Sequence, residues 1–209
     1  MPVKTELTSN SLENLYLWEI SETNEALIGL FCADGSALPP IQNPERLRHY
    51  LASRLLVRSV FPNQKLEKDA FGKPFIQGFS GHISLSHSGD MAGLLVSSAD
   101  ACGLDIEVIG ERIMRIAPRF CAPEELTHQD SASRHEAMHL IWGAKECMYK
   151  AYGRKEIDFR TQLRVAPFAV AEAGLLQGQL MLKDGTEHYH IAYRMREGYI
   201  LLWTTRVSG

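Results

Sequence analysis

Two short stretches hold residue types that could do chemistry together. In "GLDIEVI" (103–109), strand alternation puts Asp105 and Glu107 on one side and Leu104, Ile106 and Val108 on the other. In "IWGAKECMYKAYG" (141–153), Trp142, Glu146 and Lys150 recur at intervals of four and so share one face of a helix. Three carboxylates would suit Mg²⁺, which keeps several waters and binds through few carboxylates and substrate phosphates. Each stretch alone has an ordinary reading. Acids on a half-exposed edge strand can simply face water, and Glu146 with Lys150 can be a surface pair contributing about 0.2–0.5 kcal/mol. The helix argues for more than that. Its apolar stripe is Leu140, Ala144, Cys147, Met148 and Ala151, so Trp142 with its acid and two lysines lies off the core side.

The elements that must position these residues are readable in outline. "LYLWEI" (15–20) alternates as a strand, and "DGSALPPIQNP" is a loop. Asn43 as N-cap, Pro44 at the first helical position and Glu45 in the first turn open a helix with Leu47, Leu51 and Leu55 on its buried stripe. After the turn "FGKPF" come "HISLSHS", "MAGLLVSS" and "CGLDIEVI", whose short connections predict an antiparallel meander. From Gly110 the order repeats. A helical region through "APEEL" precedes a long helix opening with the capping box Ser133 and Glu136 and closing at Gly153. Hairpins at "DG" and "EG" join the last strands. The fold class is therefore α+β, with two halves, 1–109 and 110–209, each a helix packed on a small antiparallel sheet. The expectation is a pseudo-two-fold arrangement with the active cleft between the halves.

Taken together, "FGKP", "ISLSHS", "GLDIE" and "WGAKECMYK" resemble the 4'-phosphopantetheinyl transferase superfamily, in the order and separation of its larger, Sfp-type branch. "APRFCAPEEL" between the last two also fits. The resemblance implies transfer of the phosphopantetheine arm of coenzyme A to a serine of an apo acyl or peptidyl carrier protein, releasing 3',5'-ADP. It implies Mg²⁺, or Mn²⁺ in its place, held by Asp105, Glu107 and Glu146. Glu125 would be the base for the serine hydroxyl, directly or through water. Lys145 and Lys150 match the helix lysines, with Lys150 neutralising pyrophosphate charge. Lys73 and Pro74 would line the adenine side of the coenzyme pocket, and Ser86 and His87 would reach its phosphates. Arg54, with Arg48 or His49, could meet the 3'-phosphate through a guanidinium fork.

Other readings are weighed on the same residues. "HEAMH" (135–139) is H-E-x-x-H, a zinc peptidase signature, but the extended pattern would need Gly at Trp142 and His at Lys145. A non-catalytic homologue that binds coenzyme A or carrier has no need of the metal trio. Arg112, Arg115 and Arg119 could form a basic stripe for an acidic carrier, although Pro118 argues against one continuous helical face. His188 and His190 share one side of a strand, best read as exposed. Ser86 and His87 are neighbours on a strand and point apart, so they make no nucleophile dyad.

Composition narrows the field. The 209 residues are 45% hydrophobic and 22% charged with net charge -3, which argues for a globular chain and against nucleic acid as partner. No apolar run approaches the length of a membrane span, and the start has acids and no apolar core like a secretory signal. Four scattered cysteines read as reduced thiols, and the expected setting is cytoplasmic. Two built-in halves make a monomer sufficient for one cleft.

Overall fold

Antiparallel strands and a few capped helices make up the computed structural model, whose described residues are 3–6, 12–98 and 100–206. The leading segment read as lacking a secretory signal lies partly outside them. In chain order come β1 (Val3–Glu6), β2 (Glu13–Glu19), α1 (Asn24–Cys32), α2 (Pro44–Val60), β3 (Leu66–Lys68) and β4 (Pro74–Ile76). Then follow β5 (His82–Ser88), β6 (Met91–Ser97), β7 (Cys102–Val108), α3 (Arg112–Phe120) and α4 (Arg134–Tyr152), with a 3₁₀ turn at Pro123–Leu126 before α4. Strands β8 (Leu163–Val165), β9 (Ala173–Leu182), β10 (Gly185–Arg196) and β11 (Tyr199–Arg206) complete the order. One sheet runs β1-β2-β6-β5 and a second β7-β11-β10-β9-β8, while β3 and β4 form a separate hairpin. The expected α+β class is the observed one.

Local chemistry sets the helix ends. The Asn43 side chain accepts the Arg46 N–H at 2.9 Å and starts α2 as its sequence predicts. The sequence reading has no α1, although Thr23 caps it by accepting the Ala26 N–H. For α4 the predicted capping box does not form. The Ser133 hydroxyl turns back to Asp130 Oδ1 at 2.7 Å, so the Asx-type turn outcompetes the cap. Gly153 closes α4 in the left-handed region at φ 72°, as expected of a C-terminal cap. Pro118 does not interrupt α3, which carries Arg112, Arg115 and Arg119 on one nine-residue helix. It sits in the last turn, where its missing N–H costs a single helical bond.

The main topological surprise is β7. Strands β5 and β6 form the predicted hairpin, but β7 does not extend it into a meander; it pairs with β11, Asp105 opposite Leu202. Its outward N–H groups are met by side chains instead of a backbone. Ser84 Oγ accepts from Leu104 N at 2.9 Å, Ser86 Oγ from Ile106 N at 3.1 Å, and Ser88 Oγ from Val108 N at 3.2 Å. Alternation puts these three serines on one face of β5, which explains the spacing of "SLSHS".

Three apolar clusters follow from this layout. Trp18, Leu27, Leu51, Leu55 and Leu94 join α1 and α2 to the first sheet. Leu140, Ala144, Cys147, Leu180 and Ile191 join α4 to the second. Leu15, Leu17, Leu95, Leu104, Ile106 and Trp203 form a third cluster, in which strands of the two sheets meet. None of the four cysteines is paired. Among the described residues no helix is long and apolar enough to cross a membrane.

Candidate active site

Helix α4 packs directly on β7, backbone against backbone at Gly103. A Cβ on Gly103 would lie 1.9 Å from the Cys147 carbonyl oxygen, so only glycine fits there. That approach brings the face with Glu146 and Lys150 onto Asp105. Lys150 Nζ donates to Asp105 Oδ1 at 2.7 Å, to the Leu104 carbonyl at 2.8 Å and to Ser86 Oγ at 3.3 Å. The helix-face and strand readings thus converge on one place, and the acids are not simply facing water: Asp105 is 4% exposed.

The electrostatics are those of excess negative charge. Burial raises the Asp105 carboxyl above its ordinary range, with the Lys150 ammonium pulling the other way. Glu107 is pushed up to about 8, first by burial and then by Asp105, against the Trp142 indole, which donates to Glu107 Oε1 at 2.7 Å. Burial also raises Glu146, and Lys150 opposes it. Burial alone would lower the Lys150 ammonium, but Asp105 and Glu146 outweigh it and hold it above its usual value. One ammonium therefore serves three carboxyl groups, and Asp105 Oδ2 is buried without a hydrogen-bond partner.

That orphaned oxygen is the feature that fits a divalent cation. Among the described residues no three acids, histidines or cysteines are grouped as a complete metal-ligand set. A Mg²⁺ that takes most of its ligands from water and substrate phosphate needs only one or two protein carboxylates. Asp105 Oδ2 and Glu107 meet that need. The same observation weighs against zinc at "HEAMH". His139 is 2% exposed, and its Nε2 lies 3.1 Å from the Gly110 N–H, so the ring is used for packing α4 against the start of α3.

Two cavities flank this centre. A cleft of about 1200 Å³ is lined by Arg46, Arg54, Lys68, Lys73, Lys150 and Arg154, with Glu67 as the one acid among the described residues on its wall. Pro74 and His87 line it too. A second cavity of about 580 Å³ is walled by Phe120, Trp142, Tyr149 and Phe159, with Glu146 inside and Arg112 and Arg119 at its edge. Tyr149 borders both. Elements of both halves of the chain, α2, the β3–β4 hairpin, β5 and α4, enclose the larger cleft.

The remaining expected residues divide. His87 stacks on His49 with ring centroids 4.4 Å apart, and burial, then His49 and Lys150, hold its imidazole down at about 4. Arg54 reaches the cleft and lies over the Tyr50 ring at 4.7 Å, whereas Arg48 is engaged by Asp90 and the Ile20 carbonyl. Lys73 lines the cleft but donates its ammonium to the Ala151 carbonyl at 2.7 Å, tying the β3–β4 hairpin to the end of α4. Lys145 does not face the coenzyme cleft. It is wholly enclosed, giving its three protons to Phe120 O and Glu125 Oε2 at 2.7 Å and to Phe159 O at 3.0 Å. Glu125 is closed in the same way: Oε2 also accepts the Ala122 N–H and Oε1 the Val165 N–H, both at 2.8 Å. A carboxylate so occupied is a brace for the segment entering α4, not a base open to a hydroxyl.

Several residues of the site are absent from the sequence reading. Arg46 and Tyr50 precede the expected Arg54 at intervals of four on α2, the same signal used on α4, and all three reach the large cleft. Phe120 and Phe159 pack on Trp142 at 4.9 and 5.6 Å, and only the fold brings them together.

No curated protein shows significant similarity to the chain. Residues 101–201 match the family model described as the 4'-phosphopantetheinyl transferase superfamily. The matched span begins at β7 and ends in β11, and so takes in the second sheet with α3 and α4. It holds the "GLDIE" and "WGAKECMYK" residues, while "FGKP" and "ISLSHS" precede it. The family uses coenzyme A as substrate, typically with a divalent metal, and acts on carrier proteins. The likeness of this chain to the 4'-phosphopantetheinyl transferase superfamily thus rests on residues 101–201, just under half of its length.

Proposed function

We propose that the protein moves 4'-phosphopantetheine from coenzyme A to a serine of an apo acyl or peptidyl carrier protein, giving the holo carrier and 3',5'-ADP with Mg²⁺. The observation that carries this reading is the meeting of Lys150 with Asp105 at 2.7 Å, on the wall of a basic cleft large enough for a nucleotide. The adenosine and 3'-phosphate go to the Arg46, Arg54 and Lys73 side, with Pro74 against the base and His87 near the phosphates. The aromatic cavity takes the pantetheine arm and the incoming serine.

The serine oxygen attacks the phosphorus that bears the pantetheine arm. A new P–O bond forms as the bond to the bridging oxygen breaks, and 3',5'-ADP leaves with that electron pair. Lys150 stands where charge develops on the leaving phosphate. Glu146, whose carboxyl is raised toward neutrality and opens on the aromatic cavity, takes the hydroxyl proton in preference to the enclosed Glu125. Asp105 Oδ2 and Glu107 would hold Mg²⁺, which supplies charge neutralisation at the pyrophosphate. Trp142 keeps Glu107 turned toward them.

Intact-mass measurement of an apo carrier after incubation with the protein, coenzyme A and Mg²⁺ tests the reading. A gain of one phosphopantetheine, lost with EDTA and with Glu146→Ala, supports it. Coenzyme A binding without transfer to fatty-acid, polyketide and peptide-synthetase carriers would leave a non-catalytic binding protein instead.

A further inference from the structure

We infer that Ser86 is a positioning residue for Asp105 and Lys150 and makes no bond to substrate phosphate. A hydroxyl has one proton to give and two lone pairs to receive with. Ser86 uses all three: it donates to Asp105 Oδ1 at 3.2 Å and accepts from Ile106 N at 3.1 Å and Lys150 Nζ at 3.3 Å. It is 6% exposed. Its neighbours Leu85 and His87 point the other way along β5 and line the basic cleft. His87 is thus the member of the pair that can reach a phosphate, while Ser86 works behind the wall.

One hydroxyl therefore has two tasks. With Ser84 and Ser88 it terminates the edge of β7. Alone among the three it also touches both members of the ion pair. Removing it frees the Asp105 carboxylate to turn and withdraws one of Lys150's three acceptors. Groups displaced by about an ångström can lower a rate by about 10²-fold.

Ser88 supplies the control, because its hydroxyl accepts the same kind of ladder bond, from Val108 N, while it lies outside the lining of the basic cleft and makes no hydrogen bond to Asp105 or Lys150. Only the kinetic part of the inference rests on the transferase reading. Both Ser86→Ala and Ser88→Ala should lower the melting temperature. Ser86→Ala should lower kcat by about 10–100-fold while coenzyme A binding, measured by calorimetry, stays within about twofold. Ser88→Ala should keep kcat. A tenfold weaker affinity for coenzyme A in Ser86→Ala would make Ser86 a phosphate ligand, and equal kcat losses in the two variants would reduce it to a ladder bond; either result overturns the inference. Should the wild type transfer nothing, the proposed function fails by itself. Crystal structures of the two variants then decide the positioning role: it stands if the Asp105 carboxylate turns only in Ser86→Ala, and it falls if the carboxylate is unmoved.

Discussion

Lys145 and Lys150 stand five residues apart on α4, and each meets a carboxylate at 2.7 Å. The Lys145–Glu125 pair is shut, with side chains 0% and 3% exposed and every charged atom matched. The Lys150–Asp105 pair is open: the lysine side chain is 25% exposed, one Asp105 oxygen is unpartnered, and Glu107 and Glu146 crowd the same ammonium. A lysine paired with a carboxylate is a closed brace in one place and an open, partly unmatched pair in the other. What separates them is how many partners remain unmatched.

Removing one charge from the shut pair should have the largest effect. Glu125→Gln strands a buried ammonium and should cost about 3–5 kcal/mol in denaturant unfolding. Turnover per folded molecule should stay near wild type; a collapse of kcat in a well-folded variant would return Glu125 to the role of base. At the open pair the loss should fall on rate. Lys150→Ala should lower kcat about 10²–10³-fold, equivalent to about 2.7–4 kcal/mol, with a smaller change in stability. If it instead unfolds the protein while transfer survives, the contrast between the lysines is reversed.

A finer cut removes one bond to the open site and leaves its packing. Trp142→Phe keeps the contacts with Phe120 and Phe159 but deletes the donor to Glu107. We expect a several-fold slower transfer and a loss of about 1 kcal/mol, seen in single-turnover kinetics and chemical melts. The smallest effect is a pH slope. His87 is neutral in the fold down to about 4, while the unfolded chain takes up its proton near 6.5. Its contribution is therefore intact above pH 6.5 and is lost as pH falls from 6.5 toward 4. Melting temperatures of His87→Gln should decline less steeply across that window, and an identical slope would show that burial, His49 and Lys150 together do not hold the imidazole neutral.

The site was more legible in the sequence than the topology around it. Asp105, Glu107, Glu146 and Lys150 emerged from two local periods, 2.0 and 3.6, which survive any arrangement of the elements. The fate of β7 was hidden because a short connection predicts an antiparallel neighbour, while three hydroxyls across a sheet junction leave no local signal beyond alternate serines. The enclosure of Glu125 and Lys145 was hidden for a related reason. Their motif places them correctly along the chain, but whether a carboxylate is a base or a brace depends on Ala122, Val165 and Phe159, which only the fold assembles.

Because serine hydroxyls occupy the outward N–H groups of β7 and Lys150 takes its Leu104 carbonyl, this edge has few groups left to recruit a foreign strand. Exposed strand edges template self-association in sheet proteins. The fold thus guards against aggregation at the very strand that carries Asp105 and Glu107, and loss of the serines would endanger solubility.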